Sequence, residues 1–322
     1  MPLTEKALIR RIRQQVSTLP RSRGVITGIG DDCAVLRTSP VRDILVTTDF
    51  SLEGLHFRRE WHPPEVVGHR CLARGLSDIA AMGGEPTAFF LSLALPRKLP
   101  QGWVDRFWKG MLALAEECQV SLAGGDTAES PAGVLADIVV VGSVPAGKAV
   151  LRSGAGPGDR IYVSGELGSS AAVLDMLRSE PRRKFRPAEF PRHFFPQPRL
   201  KLGRILGERG LVSAMIDLSD GLSTDLGHLC EESGCGAEIQ ADAIPRATIG
   251  RTGHEVALHY VLHGGEDYEL LFTAPGGKRI PGQIAGVPIT QIGHVTRGRR
   301  VFLMNGRSRC ELFPQGWEHF KR

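Results

Sequence analysis

Long apolar runs, paired cysteines and aromatic rings are all scarce in this chain, and each scarcity removes a class of function. No stretch approaches the roughly 18 consecutive apolar residues of a membrane-spanning helix, so no membrane partner is expected. Met1 to Val16 reads as an amphipathic helix, with Leu8, Ile9, Ile12 and Val16 on one side, and lacks the apolar run of a secretory leader. The six cysteines (Cys33, Cys71, Cys118, Cys230, Cys235 and Cys310) form no CxxC pair, and no histidine pair stands at zinc-finger spacing. Free thiols in a reducing cytoplasm are the expectation. Only 6% of residues are aromatic, so the Arg-rich stretches at 182–186 and 297–300 read as solvated loops. A nucleic-acid face would interleave basic and aromatic side chains on one element. No Ser-His-Asp or Cys-His order declares a nucleophile.

What the chain does have is aspartate set beside glycine, serine or threonine. Six stretches carry the pattern: Gly28-Ile29-Gly30-Asp31-Asp32, Thr47-Thr48-Asp49, Leu76-Ser77-Asp78, Gly124-Gly125-Asp126-Thr127, Asp217-Leu218-Ser219-Asp220-Gly221 and Gly264-Gly265-Glu266-Asp267. Carboxylates in small-residue turns build a poor core. They hold hard cations well, because Mg²⁺ takes oxygen ligands and keeps water and phosphate in its shell. With 322 residues, 42% hydrophobic and 23% charged, the chain can bury the cores of two domains.

The coarse reading is α/β. Ile44–Thr48 reads as a strand ending at Asp49. Residues 63–82 have helical spacing broken near Gly75, which makes Ser77 and Asp78 the first turn of a short helix closed by Gly83-Gly84. Phe89–Leu95 reads as a strand, Trp103–Cys118 as a helix, Ser121–Ala123 as a strand leading to Asp126, and Leu135–Val144 as another strand. The rhythm restarts near residue 150, so domains at 1–150 and 151–322 are expected. In the second half, Ile161–Ser164, Ala214–Ile216, Ala237–Ile239, Tyr268–Thr273 and Val301–Met304 read as strands. Ser169–Leu177, Leu200–Glu208 and Leu222–Ser233 read as helices. Residues 181–198, with five prolines, read as an ordered surface loop. Leu-Ser-Asp occurs at 76–78 and 218–220, each time placed at a helix start.

One motif is a decoy. Gly142 to Ala149 nearly fits a phosphate-binding loop, but the last position is Ala149, without the hydroxyl that binds Mg²⁺, and the Gly-rich segment after Arg152 cannot be the helix that loop requires. Taken singly, Asp49, Asp78, Asp126 and Asp217 read equally as caps or turn residues, and His56 as a structural histidine. Recurrence carries the case. Several acids stand where apolar strands end, and strand ends in an α/β sheet gather at one ligand-binding rim. Carboxylates packed there would repel each other unless a cation joined them.

Together these segments closely resemble the thiamine-monophosphate kinase family, in the right order over almost the whole chain. The residues that carry the resemblance are Gly28–Leu36, Thr47–Phe57, Leu76–Gly83, Gly124–Thr127, Ile216–Leu222 and Gly264–Leu270. That family belongs with aminoimidazole ribonucleotide synthetase, selenophosphate synthetase and a hydrogenase-maturation protein. The resemblance implies an N-terminal domain with a mixed sheet that pairs in a homodimer, and a C-terminal domain closing over the nucleotide. It implies ATP-dependent conversion of thiamine monophosphate to thiamine diphosphate. It places Asp32, Thr47, Thr48, Asp49, Asp78, Asp126, Asp217 and Asp220 at Mg²⁺, Gly125, Asp126, Arg152 and Ser219 at ATP, and His56 and Glu266 at the thiamine substrate. The chain departs from the family pattern with Arg70 and Gly75 where Lys and Asn are common. Phe313, Trp317 and Phe320 offer rings to the thiamine, and Trp317 is the candidate. No general base is expected, because a phosphate monoester with a second pKa of about 6 is already largely ionised at neutral pH. A reactive cysteine in a glycine-rich N-terminal segment, expected of a selenophosphate synthetase, is absent. A non-catalytic sensor would have lost its acids, and all are present.

Overall fold

The computed structural model describes residues 4–17, 24–180, 182–249 and 253–320. It opens with helix α1 (Glu5–Ser17); the first three residues of the expected N-terminal helix lie outside the described residues. The first sheet is built from β1 (Val25–Thr27), β2 (Ala34–Arg37), β3 (Arg42–Leu52), β4 (Glu85–Pro96), β5 (Ser121–Ser130) and β6 (Leu135–Pro145). Its order is β1-β2-β3-β6-β4-β5, with only β4 and β5 parallel. Two helices, α2 (Pro64–Ala81) and α3 (Gln101–Glu117), cover one face. They approach closely through glycine: a Cβ at Gly110 would lie 1.9 Å from the carbonyl oxygen of Glu65.

The second half carries β7 (Arg160–Ser164), α4 (Ser169–Ser179), α5 (Pro191–Phe194), α6 (Leu200–Glu208), β8 (Ala214–Asp217), α7 (Leu222–Ser233), β9 (Gly236–Gln240), β10 (Thr248–Ile249), β11 (His254–Glu255) and α8 (Leu258–His263). It ends with β12 (Leu270–Ala274), β13 (Gln283–Ile284), β14 (Val287–Thr296), β15 (Val301–Asn305) and β16 (Ser308–Glu311). Its main sheet runs β16-β15-β9-β14-β7-β12-β8, with β13 paired to β14 and only β9 and β15 parallel. The molecule is thus a mixed α/β protein with two sheet-containing domains. Helix α2 joins them: sixteen of its 18 residues are buried, and α6 packs so tightly on it that a Cβ at Gly203 would lie 2.0 Å from the Ala80 carbonyl.

Several sequence expectations change. The helix over 63–82 is continuous and does not break at Gly75. That glycine answers to packing, since a Cβ there would lie 2.5 Å from Val140 Cγ2. Asp78 therefore stands in the last turn of a long helix, not the first turn of a short one. The Leu-Ser-Asp echo fails with it, because 76–78 ends a helix while 218–220 precedes one. Strands β3 and β5 run past their apolar stretches, so Asp49 and Asp126 lie within strands and only Asp217 closes one. Residues 182–198 are not simply a surface loop. Phe190, His193 and Phe194 are buried, the two rings against Val66, Val173 and Leu177. The strands β1, β2, β10, β11, β13, β14 and β16 are additions to those read from the sequence.

Candidate functional site

Strand alternation decides which hydroxyls face the acids. On β3, residues 43, 45, 47, 49 and 51 share the face toward α2, while Thr48 and Phe50 point to the opposite face. Thr47 Oγ1 accordingly donates to Asp78 Oδ2 at 2.5 Å, whereas Thr48 Oγ1 donates to Asp137 at 2.8 Å. Three carboxylates meet: Asp32 from the loop between β1 and β2, Asp78 from the end of α2, and Asp217 from the end of β8, with ligand atoms all within 4.8 Å of one another. Ser77 Oγ donates to Asp217 at 2.6 Å. Arg152 holds Asp32 through two side-chain hydrogen bonds, at 2.8 and 3.2 Å, and its backbone N–H donates to Asp31 at 3.2 Å.

Asp217 and Asp78 are pushed upward by burial and by neighbouring acids. Burial, then the charge of Asp32, pushes Asp217 up to about 7. Burial, then Asp217, Asp32 and Asp49, raises Asp78 well above the usual carboxylate range. Burial also lifts Asp31 to about 7, with Asp32 adding to it. Burial takes Asp220 to about 7 as well. Oxygen-only donors from three segments, short of countercharge, fit Mg²⁺. Asp126 stays outside the trio, on the exposed strand β5, where its carboxylate accepts the Thr127 N–H. Gly125 beside it has φ +157°, and a Cβ there would lie 2.0 Å from the Leu91 carbonyl, so no side chain fits.

A cavity of about 580 Å³ adjoins these acids, with Asp49, His56, Ser219, Asp220, Glu266 and Trp317 among its lining residues. His56 Nδ1 accepts the Leu52 N–H at 2.9 Å. Burial, then Arg74, drops its pKa to about 3, so it meets a ligand as a neutral ring. Trp317 is 44% exposed and forms an edge contact with His319, which in turn stands edge-on to His56. Phe313 and Phe320 do not line the cavity.

Glu266 is clamped between two arginines. Its backbone is left-handed, with φ +65°, and its N–H donates to the Ser219 carbonyl at 2.8 Å. Arg70 takes one carboxylate oxygen at 2.5 Å and Arg74 the other at 2.7 Å. Burial alone would raise this carboxyl, but the two guanidiniums bring it to about 2. Arg74 is the buried, cavity-lining residue that sequence reasoning missed. The signal was available, since Arg70, Arg74 and Asp78 recur at helical spacing on a helix whose other buried residues, His69 apart, are apolar or small.

Family models match both halves of the chain. Residues 30–144 match the N-terminal domain of the AIR synthase related proteins, and residues 156–304 match their C-terminal domain. The thiamine-monophosphate kinase of Salmonella typhimurium is 41% identical over 281 residues, covering 84% of this chain and 85% of the relative. That of Escherichia coli K12 is 38% identical, covering 91% of each. The solved structure of AaThiL complexed with AMPPCP and TMP superposes with a TM-score of 0.84 at 32% identity, covering 99% of both chains.

Proposed function

The chain belongs to the thiamine-monophosphate kinase family and is a kinase; from that premise we propose that it transfers the terminal phosphoryl group of ATP to thiamine monophosphate, giving thiamine diphosphate and ADP, a step of thiamine diphosphate biosynthesis. The observation that carries the reading is the trio Asp32, Asp78 and Asp217, drawn from three separate segments beside a cavity with a neutral histidine and an exposed indole. The AaThiL complex supports it, because AMPPCP is an analogue of ATP and is held there together with TMP.

In this reading Asp32, Asp49, Asp78, Asp217 and Asp220 would hold Mg²⁺, with Thr47 and Asp126 added by family position, while the Thr48 hydroxyl faces the other side of β3 and is bonded to Asp137 instead. When bound, Mg²⁺ neutralises the phosphates and sets donor and acceptor in line. Arg152, Gly125, Asp126 and Ser219 contact the nucleotide. Arg152 brings a cation already fixed by Asp32, so little reorganisation is needed when a phosphate arrives. His56 and Trp317 contact the thiamine rings, and Glu266 fixes the floor of that pocket. No side chain acts as general base, because the acceptor oxygen is already ionised. Transfer is direct, without a phosphoenzyme.

The domains divide between residues 145 and 155, with residues 1–150 and 151–322 as the two units. The N-terminal one pairs in a homodimer. Support for pairing comes from the face of the first sheet opposite α2, where Phe50 is 52% and Phe90 39% exposed beside the exposed strand β5. The test of the reaction is incubation of the purified protein with ATP, Mg²⁺ and thiamine monophosphate, followed by chromatography. Thiamine diphosphate formed in equal amount to ADP supports the reading, and its absence with folded protein overturns it.

A further inference from the structure

Helix α2 carries Arg70, Arg74 and Asp78 four residues apart, so one face of it runs from the cavity to the carboxylate trio. Arg70 is committed at the far end, with one amino group on Glu266 and the other on the backbone carbonyl of His193. Arg74 stands in the middle and lines the cavity. It donates to Glu266 Oε1 at 2.7 Å and to the Phe50 carbonyl at 3.1 Å, while Asp49 lies 3.7 Å away, an ion-pair spacing beyond hydrogen-bond reach. A guanidinium has five N–H donors, and these two hydrogen bonds leave others to spare.

The local charge does not close. Arg70 and Arg74 face a single dedicated carboxylate, Glu266. The remaining acid, Asp49, is loosely held and belongs with the residues read above as cation ligands. Once Asp49 serves a cation, Arg74 keeps a positive charge in a largely buried position, where an uncompensated charge is costly. An anion arriving between the cavity and the trio would supply the missing partner.

We propose that Arg74 binds the phosphate of the acceptor and is the residue by which this protein distinguishes a phosphorylated thiamine from thiamine itself. This rests on the reaction proposed above. Glu266, clamped by Arg70, aims the guanidinium fork; the fork takes the acceptor phosphate through charge-assisted hydrogen bonds and leaves the rings to His56 and Trp317.

The test measures binding of thiamine monophosphate and of thiamine to the full chain with Mg²⁺ present, by calorimetry. Wild-type protein, Arg74→Gln and Arg74→Lys are compared. In Arg74→Gln, Glu266 keeps its bond to Arg70, which favours folding. The preference for thiamine monophosphate over thiamine is expected to fall roughly tenfold to a hundredfold, with thiamine affinity changed less than about twofold. Arg74→Lys keeps a point charge without the fork and is expected to recover part of the preference. Equal weakening of both ligands, or an unchanged preference, overturns the proposal. Should Arg74→Gln not fold, Arg74→Lys decides alone: a preference equal to the wild-type value overturns the assignment. Failure of the wild-type protein to bind either compound would instead overturn the reaction on which the proposal rests.

Discussion

Replacing Asp217 with asparagine should make the metal-free protein more stable and the Mg²⁺-loaded protein relatively less so. Asp217 is buried, and burial with the neighbouring Asp32 raises its pKa from 3.8 to about 7. A carboxyl raised in the folded state contributes stability below its unfolded pKa and loses it as pH rises through the folded value. At pH 8 the fold therefore carries the cost of ionising this group, about three pH units at ~1.36 kcal/mol each, or about 4 kcal/mol at most. Neighbouring side chains relax, so about 2–4 kcal/mol is the working range. Asparagine removes the charge and still accepts the Ser77 hydroxyl. In EDTA at pH 8, Asp217→Asn is expected to melt several degrees above wild type, and its advantage should shrink by more than half at pH 5. Mg²⁺ at about a hundredfold over its dissociation constant would add about 2.7 kcal/mol to wild type, and much less to the variant. Differential scanning fluorimetry over this grid of pH and metal reads all four states. A variant less stable than wild type in EDTA, or one keeping the full Mg²⁺ shift, refutes the view that uncompensated charge marks the site.

Other expectations follow from single contacts. Gly110→Ala drives a methyl into the Glu65 carbonyl and should cost about 1–3 kcal/mol or more in urea unfolding; an unchanged midpoint would mean that α2 and α3 separate freely. Arg152→Gln removes the cation on Asp32 and should raise the KM for ATP at least tenfold while leaving that for thiamine monophosphate within about threefold. Equal changes in both would place Arg152 outside the nucleotide subsite. Phe50→Asp introduces a charge on the apolar sheet face and should shift the protein to monomer by light scattering; retention of the wild-type mass would move the pairing surface elsewhere.

Much of the site was legible because its residues occur in short, ordered motifs that survive without structural knowledge. Their geometry was less so. Asp49 was expected at a strand end because the apolar, β-branched run stops at Thr48. In fact the strand continues through Asp49 and Ser51 to Leu52, and the polarity of Thr47, Asp49 and Ser51 reflects the face they share. Gly75 was expected to break a helix, since a glycine's local preference is visible while the Val140 methyl pressing on it is not. Arg74 went unnoticed because an arginine on a helix ordinarily reads as solvated; only the buried surroundings of α2 set it apart. The 182–198 segment was judged by its basic residues, yet Phe190 and Phe194 decide its placement by filling a pocket with Val66 and Val173.

The central claim is direct phosphoryl transfer between two phosphates at the carboxylate trio. It is tested most directly by following the terminal phosphate of ATP, labelled with ³²P, in the presence of Mg²⁺ and thiamine monophosphate. The account predicts label in thiamine diphosphate, one ADP for each, and no acid-stable or hydroxylamine-releasable label on the protein. Label appearing on the protein ahead of product, or only as inorganic phosphate, would contradict it.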